Sequence, residues 1–136
     1  MTFSFSLPVP EEQQQETTVS LEGISVLLVE DDVDIREMYC IWLEDWGINV
    51  RTLSGCEKAI AAFKSEPADL VVTDLFLEDG NGVELLTAVR EIEPRVSTVM
   101  CSGSDAIDAY LSGDRSLVDS FLSKPVTANR LQQSLQ

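Results

Sequence analysis

Histidine is absent from this chain, and its absence removes a good deal of chemistry. Without an imidazole there is no Ser-His-Asp or Cys-His nucleophile pair, and a zinc site is not expected. The three cysteines, Cys40, Cys56 and Cys101, stand in apolar surroundings without Cys-x-x-Cys spacing, and read as buried thiols of a reducing compartment, the cytoplasm. Positive charge is scarce as well. Nine Lys and Arg against 24 Asp and Glu leave a net charge of −15, which argues against nucleic acid or an anionic membrane surface as a direct partner. No apolar run approaches the roughly 20 residues that cross a bilayer. The N-terminus carries no basic region ahead of its apolar residues, so no secretory leader is expected.

What is present fits one domain: 136 residues, of which 44% are hydrophobic, suffice for a single core. Residues 1–22 hold two prolines, three consecutive glutamines and four glutamates without hydrophobic periodicity after Leu7, and read as a disordered tail. Phe3, Phe5 and Leu7 are taken as part of that tail rather than as a docking motif. The folded domain is expected over 23–136.

Taken in order, the folded part opens with Ile24 to Val29, an apolar strand that ends abruptly in Glu30-Asp31-Asp32. Asp32 or Asp34 is placed to cap the helix that follows. Ile35, Met38 and Trp42 give that helix its apolar face, Trp42 and Trp46 are packing residues, and Gly47 stops it. Ile48 to Leu53 alternates in polarity as an edge strand does. Ser54-Gly55-Cys56-Glu57 has the form of a capping box for a helix with Cys56, Ile60 and Phe63 on its inner face, ended by Pro67. Leu70-Val71-Val72 reads as a central strand buried on both faces, with Asp74 just past it and a glycine-rich turn, Glu78 to Gly82, after that. Leu85, Leu86, Val89 and Ile92 mark a third helix, ended by Pro94; Val96 to Cys101 is a fourth strand running into Ser102-Gly103-Ser104. Ile107, Tyr110 and Leu111 suggest a short fourth helix, Val118 to Ser123 a fifth strand leading to Lys124-Pro125, and Leu131 with Leu135 a last amphipathic helix. Strict alternation of this kind implies an α/β fold, a parallel sheet with right-handed crossovers.

Parallel strands point their carboxyl ends the same way, so the polar residues at those ends converge on one crevice. Here they are Glu30 and Asp31, Asp74, Ser102 and Lys124. Three carboxylates in one crevice repel one another, and a hard divalent cation such as Mg²⁺ neutralises them through oxygen ligands. A hydroxyl and a lysine alongside supply a donor and a positive charge for phosphoryl oxygens. Asp74 is then the nucleophile that forms an aspartyl phosphate. The bland readings remain for single residues: acids at a helix N-terminus suit the macrodipole, a serine alone is a turn former, and the acidic excess is a solvated surface.

Over residues 24–136 the chain resembles a response-regulator receiver domain. The resemblance rests on Val29-Glu30-Asp31-Asp32-Val33-Asp34-Ile35-Arg36 as the acidic turn, Asp74 as the phosphoacceptor, Gly82 eight residues after it, the Ser102-Gly103 pair, and Lys124-Pro125 as the lysine with its usually cis proline. It implies a doubly wound, flavodoxin-like sheet of five parallel strands in the order 2-1-3-4-5. It further implies Mg²⁺ held directly by Asp31 and Asp74, through water by Glu30, and by the backbone carbonyl of Phe76. It implies as well that the phosphoryl group comes from the phosphohistidine of a sensor histidine kinase or histidine phosphotransfer protein, that Ser102 and Phe121 form the switch, and that the signal leaves by the fourth helix, fifth strand and fifth helix, around Ile107, Tyr110, Val118 and Leu131, to a downstream protein. With eleven residues after Pro125, output is expected in trans, or from a domain cut away; no enzymatic activity beyond self-catalysed phosphotransfer and dephosphorylation is expected.

Two positions depart from the family pattern. Glu78 stands where a proline is common, which loosens the loop and adds negative charge, and Phe121 replaces the frequent tyrosine. Two rivals are weighed against this reading. A phosphatase of the haloacid-dehalogenase type carries a second Asp two residues after the nucleophile, where this chain has Phe76. A pseudo-receiver, acting as a constitutive binding module, lacks an acid, the acceptor or the lysine, all of which are present.

Overall fold

The first strand is built from residues that all belong inside. Val26, Leu27, Leu28 and Val29 are each at most 1% exposed, and successive side chains of a strand point to opposite faces of the sheet. Leu27 and Val29 accordingly pack on one side with Phe63, Leu85, Leu86 and Met100, while Val26 and Leu28 pack on the other with Tyr39, Leu43, Val99 and Leu131. A continuous apolar run therefore means two cores with a sheet between them.

The computed structural model describes residues 23–103 and 117–135. The tail expected over 1–22, and the helix expected around Ile107, Tyr110 and Leu111, lie outside the described residues. Five strands form the main sheet: β1 (Ser25–Val29), β2 (Asn49–Leu53), β3 (Leu70–Asp74), β4 (Ser97–Ser102) and β5 (Ser120–Ser123). Their spatial order is 2-1-3-4-5 and all four pairings are parallel, as expected for this doubly wound α/β fold. Helix α1 (Val33–Asp45) follows β1, α2 (Cys56–Ser65) follows β2, α3 (Gly82–Ile92) precedes β4, and a C-terminal helix covers Ala128–Ser134. Between β3 and α3 a small antiparallel hairpin pairs Phe76–Leu77 with Gly80–Asn81.

Local signals explain most of the boundaries. Asp32 caps α1 by accepting from the Asp34 and Ile35 amides at 3.0 and 3.1 Å. Gly47, at φ +82°, ends α1 in a Schellman turn, with Gly47 N–H on the Glu44 carbonyl and Ile48 N–H on that of Leu43. Asn81 caps α3 through the Glu84 amide.

Two expectations are corrected. The buried stripe of α1 is centred on Tyr39 and Leu43, with Ile35, Trp42 and Trp46 half-buried beside it. Met38, expected on that face, is 39% exposed, because it lies one residue, about 100° of helix rotation, off the i, i+4 line through 39 and 43. The capping box at Ser54 is also not formed: the N-cap of α2 is Gly55, which has no side chain to offer. Asp79 supplies the cap from the hairpin, its carboxylate accepting from the Cys56 and Glu57 amides at 2.7 and 3.1 Å. Cys56 and Cys101 are buried as expected, Cys40 only partly, and burial pushes the Cys101 thiol up to about 12.

Candidate functional site at the carboxyl end of the sheet

Each strand delivers its polar residue where the apolar run stops. Glu30 follows β1, and its side chain is turned into the crevice with only 2% exposure, while Asp31 stays exposed. Arg36, one turn into α1, donates to the Glu30 carbonyl at 2.7 Å, and the Glu30 carboxylate accepts from the Asp32 amide at 3.2 Å, which fixes the turn. Asp74 is the last residue of β3, and its Oδ1 accepts from the Leu75 amide at 2.9 Å. One oxygen each from Glu30, Asp31 and Asp74 lies within 4.8 Å of the others.

Lys124 completes the group from beyond β5. Its Nζ is 3.1 Å from Asp74 Oδ2 and 3.5 Å from Glu30 Oε1. Its own amide donates to the Ser102 carbonyl at 2.8 Å, tying it to the end of β4, and the Lys124–Pro125 peptide is cis. Ser102 is 3% exposed. Along one flank of Lys124 an apolar cleft of about 410 Å³ runs between α1 and Val126, lined by Ile35, Met38, Tyr39 and Pro125.

The electrostatics follow from burial. Desolvation raises the Glu30 carboxyl above its ordinary value, and the Asp74 charge adds to that. Desolvation likewise raises Asp74; Lys124 opposes it without overcoming it. Burial alone would lower the Lys124 ammonium, but its hydrogen bond and ion pair with Asp74, helped by Glu30, outweigh that and raise it. The pocket thus holds more negative charge than one ammonium compensates. An oxygen-only donor set in that condition fits a hard divalent cation.

Glycine is required at one point of this site: a Cβ on Gly82 would lie 2.6 Å from the Asp74 carbonyl. Gly82 N–H also donates to the Leu75 carbonyl at 2.7 Å, so the chain doubles back hard against the strand end. Phe76 itself is 65% exposed, on the hairpin. Phe121 is half-buried against the core under α2 and α3. Glu78 is exposed at the hairpin turn and is not one of the three gathered carboxylates. The structure therefore brings Glu30, Asp31, Asp74 and Lys124 together, puts Ser102 on the adjoining strand end, and leaves Phe121 in the packing behind it.

Two anchoring residues were not foreseen. Asp79 grips α2, as described above. Asp119 accepts from the Thr98 amide at 2.9 Å and pairs with Arg90 at 3.2 Å, locking β4 to the start of β5. Both act across more than 20 residues of sequence, and neither has a local signature.

Comparison with known proteins agrees with this fold. The family model described as response regulator receiver domain matches residues 26–136. Response regulator protein PilR of Pseudomonas aeruginosa is 30% identical over 107 residues, covering 79% of this chain and 24% of PilR. Photosynthetic apparatus regulatory protein RegA of Cereibacter sphaeroides is 31% identical over 111 residues, 82% of this chain and 60% of RegA. The chain thus spans about a quarter to three fifths of these curated relatives. Among solved structures, the receiver domain of NtrX from Brucella abortus is 32% identical with a TM-score of 0.73, covering 81% of this chain and 97% of that one. A response regulator receiver domain protein from Clostridium thermocellum shares the fold, with a TM-score of 0.76 over 82% of this chain and 90% of that one at 24% identity.

Proposed function

We propose that this chain, which belongs to the response regulator receiver domain family, accepts a phosphoryl group on Asp74 from a protein phosphohistidine and passes the signal on by a change of surface. The observation that carries the reading is the contact of Lys124 Nζ with Asp74 Oδ2 at 3.1 Å, beside two further carboxylates within 4.8 Å. An Asp74 oxygen attacks phosphorus, the P–N bond to the donor imidazole breaks, and its electron pair returns to the ring nitrogen. The product is an acyl phosphate on Asp74. Lys124 faces the new phosphoryl oxygens, and Ser102 offers a hydroxyl from the next strand end.

The oxygen donors suit Mg²⁺, with Asp31 and Asp74 as direct ligands, Glu30 through water and the Phe76 carbonyl from the hairpin. Bound there, Mg²⁺ would neutralise the carboxylates and the charge of the incoming phosphoryl group. The donor is a sensor histidine kinase or histidine phosphotransfer protein, and no second substrate is invoked. Readout is by protein contact at the surface over β5 and the C-terminal helix; Val118 and Leu131, expected on that surface, are buried, and with half-buried Phe121 they carry the change from within.

Incubation with phosphoramidate, a small donor with a P–N bond, tests the reading. The expected result is Mg²⁺-dependent incorporation of one phosphoryl group, removed by hydroxylamine and absent in Asp74→Asn. Undiminished incorporation in Asp74→Asn would refute it.

A further inference from the structure

We propose that Asp79 is a positioning residue for the metal side of the site, holding the Phe76 hairpin in register by clamping its turn onto the N-terminus of α2. This rests on the phosphoacceptor reading above. The observations are mechanical. Phe76 and Asn81 pair at the base of the hairpin, and Leu77 pairs with Gly80 next to the turn that Glu78 and Asp79 form. The base adjoins Asp74, through Leu75. The turn is fixed to α2, where both Asp79 oxygens are used, Oδ1 on the Cys56 amide and Oδ2 on the Glu57 amide.

Two glycines let the hairpin and α2 come close. A Cβ on Gly55 would lie 2.9 Å from Asp79 Oδ1 and 3.2 Å from its Oδ2, so a larger residue there would push the carboxylate off its present seat. A Cβ on Gly80 would lie 3.3 Å from that of Cys56, so the return strand of the hairpin lies directly on α2. The hydrogen bonds from Glu57 and Cys56 also hold the Asp79 carboxyl below its ordinary range, as expected for an anion capping a helix.

Such a clamp is needed here for a reason visible in the sequence. Glu78 offers no ring to restrict the turn, and proline's fixed φ is the usual way to stiffen such a position. Asp79 supplies the constraint from outside the loop instead. A hairpin free to rotate about its base would no longer hold the Phe76 carbonyl, which the phosphoacceptor reading makes a ligand, in a fixed place beyond Asp74, and lost outer-sphere support typically weakens metal affinity 10- to 100-fold.

The test uses the full chain and four variants: Asp79→Ala, Gly55→Ala, the two combined, and Thr127→Ala. Thr127→Ala removes the cap of the C-terminal helix, where Thr127 Oγ1 accepts from the Arg130 amide, and so controls for destabilisation remote from the hairpin. Mg²⁺ affinity is read by calorimetry, and the rate of phosphorylation by phosphoramidate is followed as Mg²⁺ is raised. The expected result for Asp79→Ala is about tenfold weaker Mg²⁺ binding, with a rate that falls at low Mg²⁺ and recovers at saturation. Gly55→Ala should shift both quantities the same way, and adding it to Asp79→Ala should change nothing further, because both act through one contact. If Asp79→Ala lowers the melting temperature as Thr127→Ala does but leaves Mg²⁺ affinity and the low-Mg²⁺ rate at wild-type values, the proposal is overturned while the phosphoacceptor reading stands. A wild-type protein that takes up neither Mg²⁺ nor phosphoryl overturns both.

Discussion

Lys124 and Asp74 meet across 3.1 Å, and the same ammonium lies 3.5 Å from Glu30, a carboxylate that is almost wholly buried. One cation therefore serves two carboxylates, one just past β1 and one at the end of β3. Removing it in Lys124→Ala leaves both charges uncompensated, and the metal-free protein should melt at a lower temperature than wild type. Mg²⁺ offsets the same repulsion, so its stabilising increment should be larger in the variant. Thermal melts with and without Mg²⁺ check this; equal increments would mean that Lys124 and the metal do not share a charge balance.

The dependence on pH should run in two directions. Glu30 and Asp74 have folded pKa values raised above their ordinary 4.5 and 3.8, chiefly by burial. Each binds its proton more tightly folded than unfolded, so each subtracts stability as pH climbs from the ordinary value through the raised one. Glu30→Gln should therefore raise the melting temperature of the metal-free protein at neutral pH and flatten its decline above pH 4.5. Asp79 is lowered from 3.8 by its amide donors, so its contribution is present above that value and lost as pH falls through the folded one. Melting curves across the acid range decide the matter; a Glu30→Gln protein less stable than wild type at neutral pH would contradict the first half.

The face that α1 buries gives a sharp contrast in stability. Leu43 is fully buried, so Leu43→Ala should cost about 2–5 kcal/mol. Met38 is 39% exposed, and Met38→Ala should stay within about 1 kcal/mol. Denaturant titration of both variants measures the difference, and similar losses would place Met38 in the core after all.

Periodicity located α1 but chose the wrong side of Met38, because Ile35, Met38 and Trp42 satisfy a helical spacing as well as Ile35, Tyr39 and Leu43 do. The buried choice was made by the sheet, which the pattern alone does not contain. The strands were legible for the opposite reason: Val26 to Val29 and Leu70 to Val72 are apolar at every position, and an acid follows, Glu30 at once after the first and Asp74 one residue, Thr73, after the second. That same stop exposed Glu30, Asp31 and Asp74 as candidates. The cap of α2 was misassigned because Ser54 and Glu57 have capping-box spacing, whereas the group that does the capping, Asp79, is 23 residues from Cys56. No local rule reaches that far.

The route from site to surface is testable at Ser102, whose carbonyl holds Lys124 and whose side chain is 3% exposed. Ser102→Ala should keep wild-type Mg²⁺ affinity while reducing the chemical-shift response of Val118, Phe121 and Leu131 to a phosphoryl mimic. Phe121 is half-buried already, so the wild-type response itself should be modest. A response confined to Met38, Trp42 and Trp46 would place the route elsewhere.

The central claim is that Asp74 carries the phosphoryl group. Borohydride reduces an acyl phosphate to the alcohol, which converts a phosphorylated aspartate to homoserine. After treatment with phosphoramidate and Mg²⁺, then borohydride, peptide mapping should find homoserine at residue 74 and none in the sample without donor. Homoserine at Asp31 or another acid, or an unmodified residue 74 in protein that has taken up phosphate, would contradict the account.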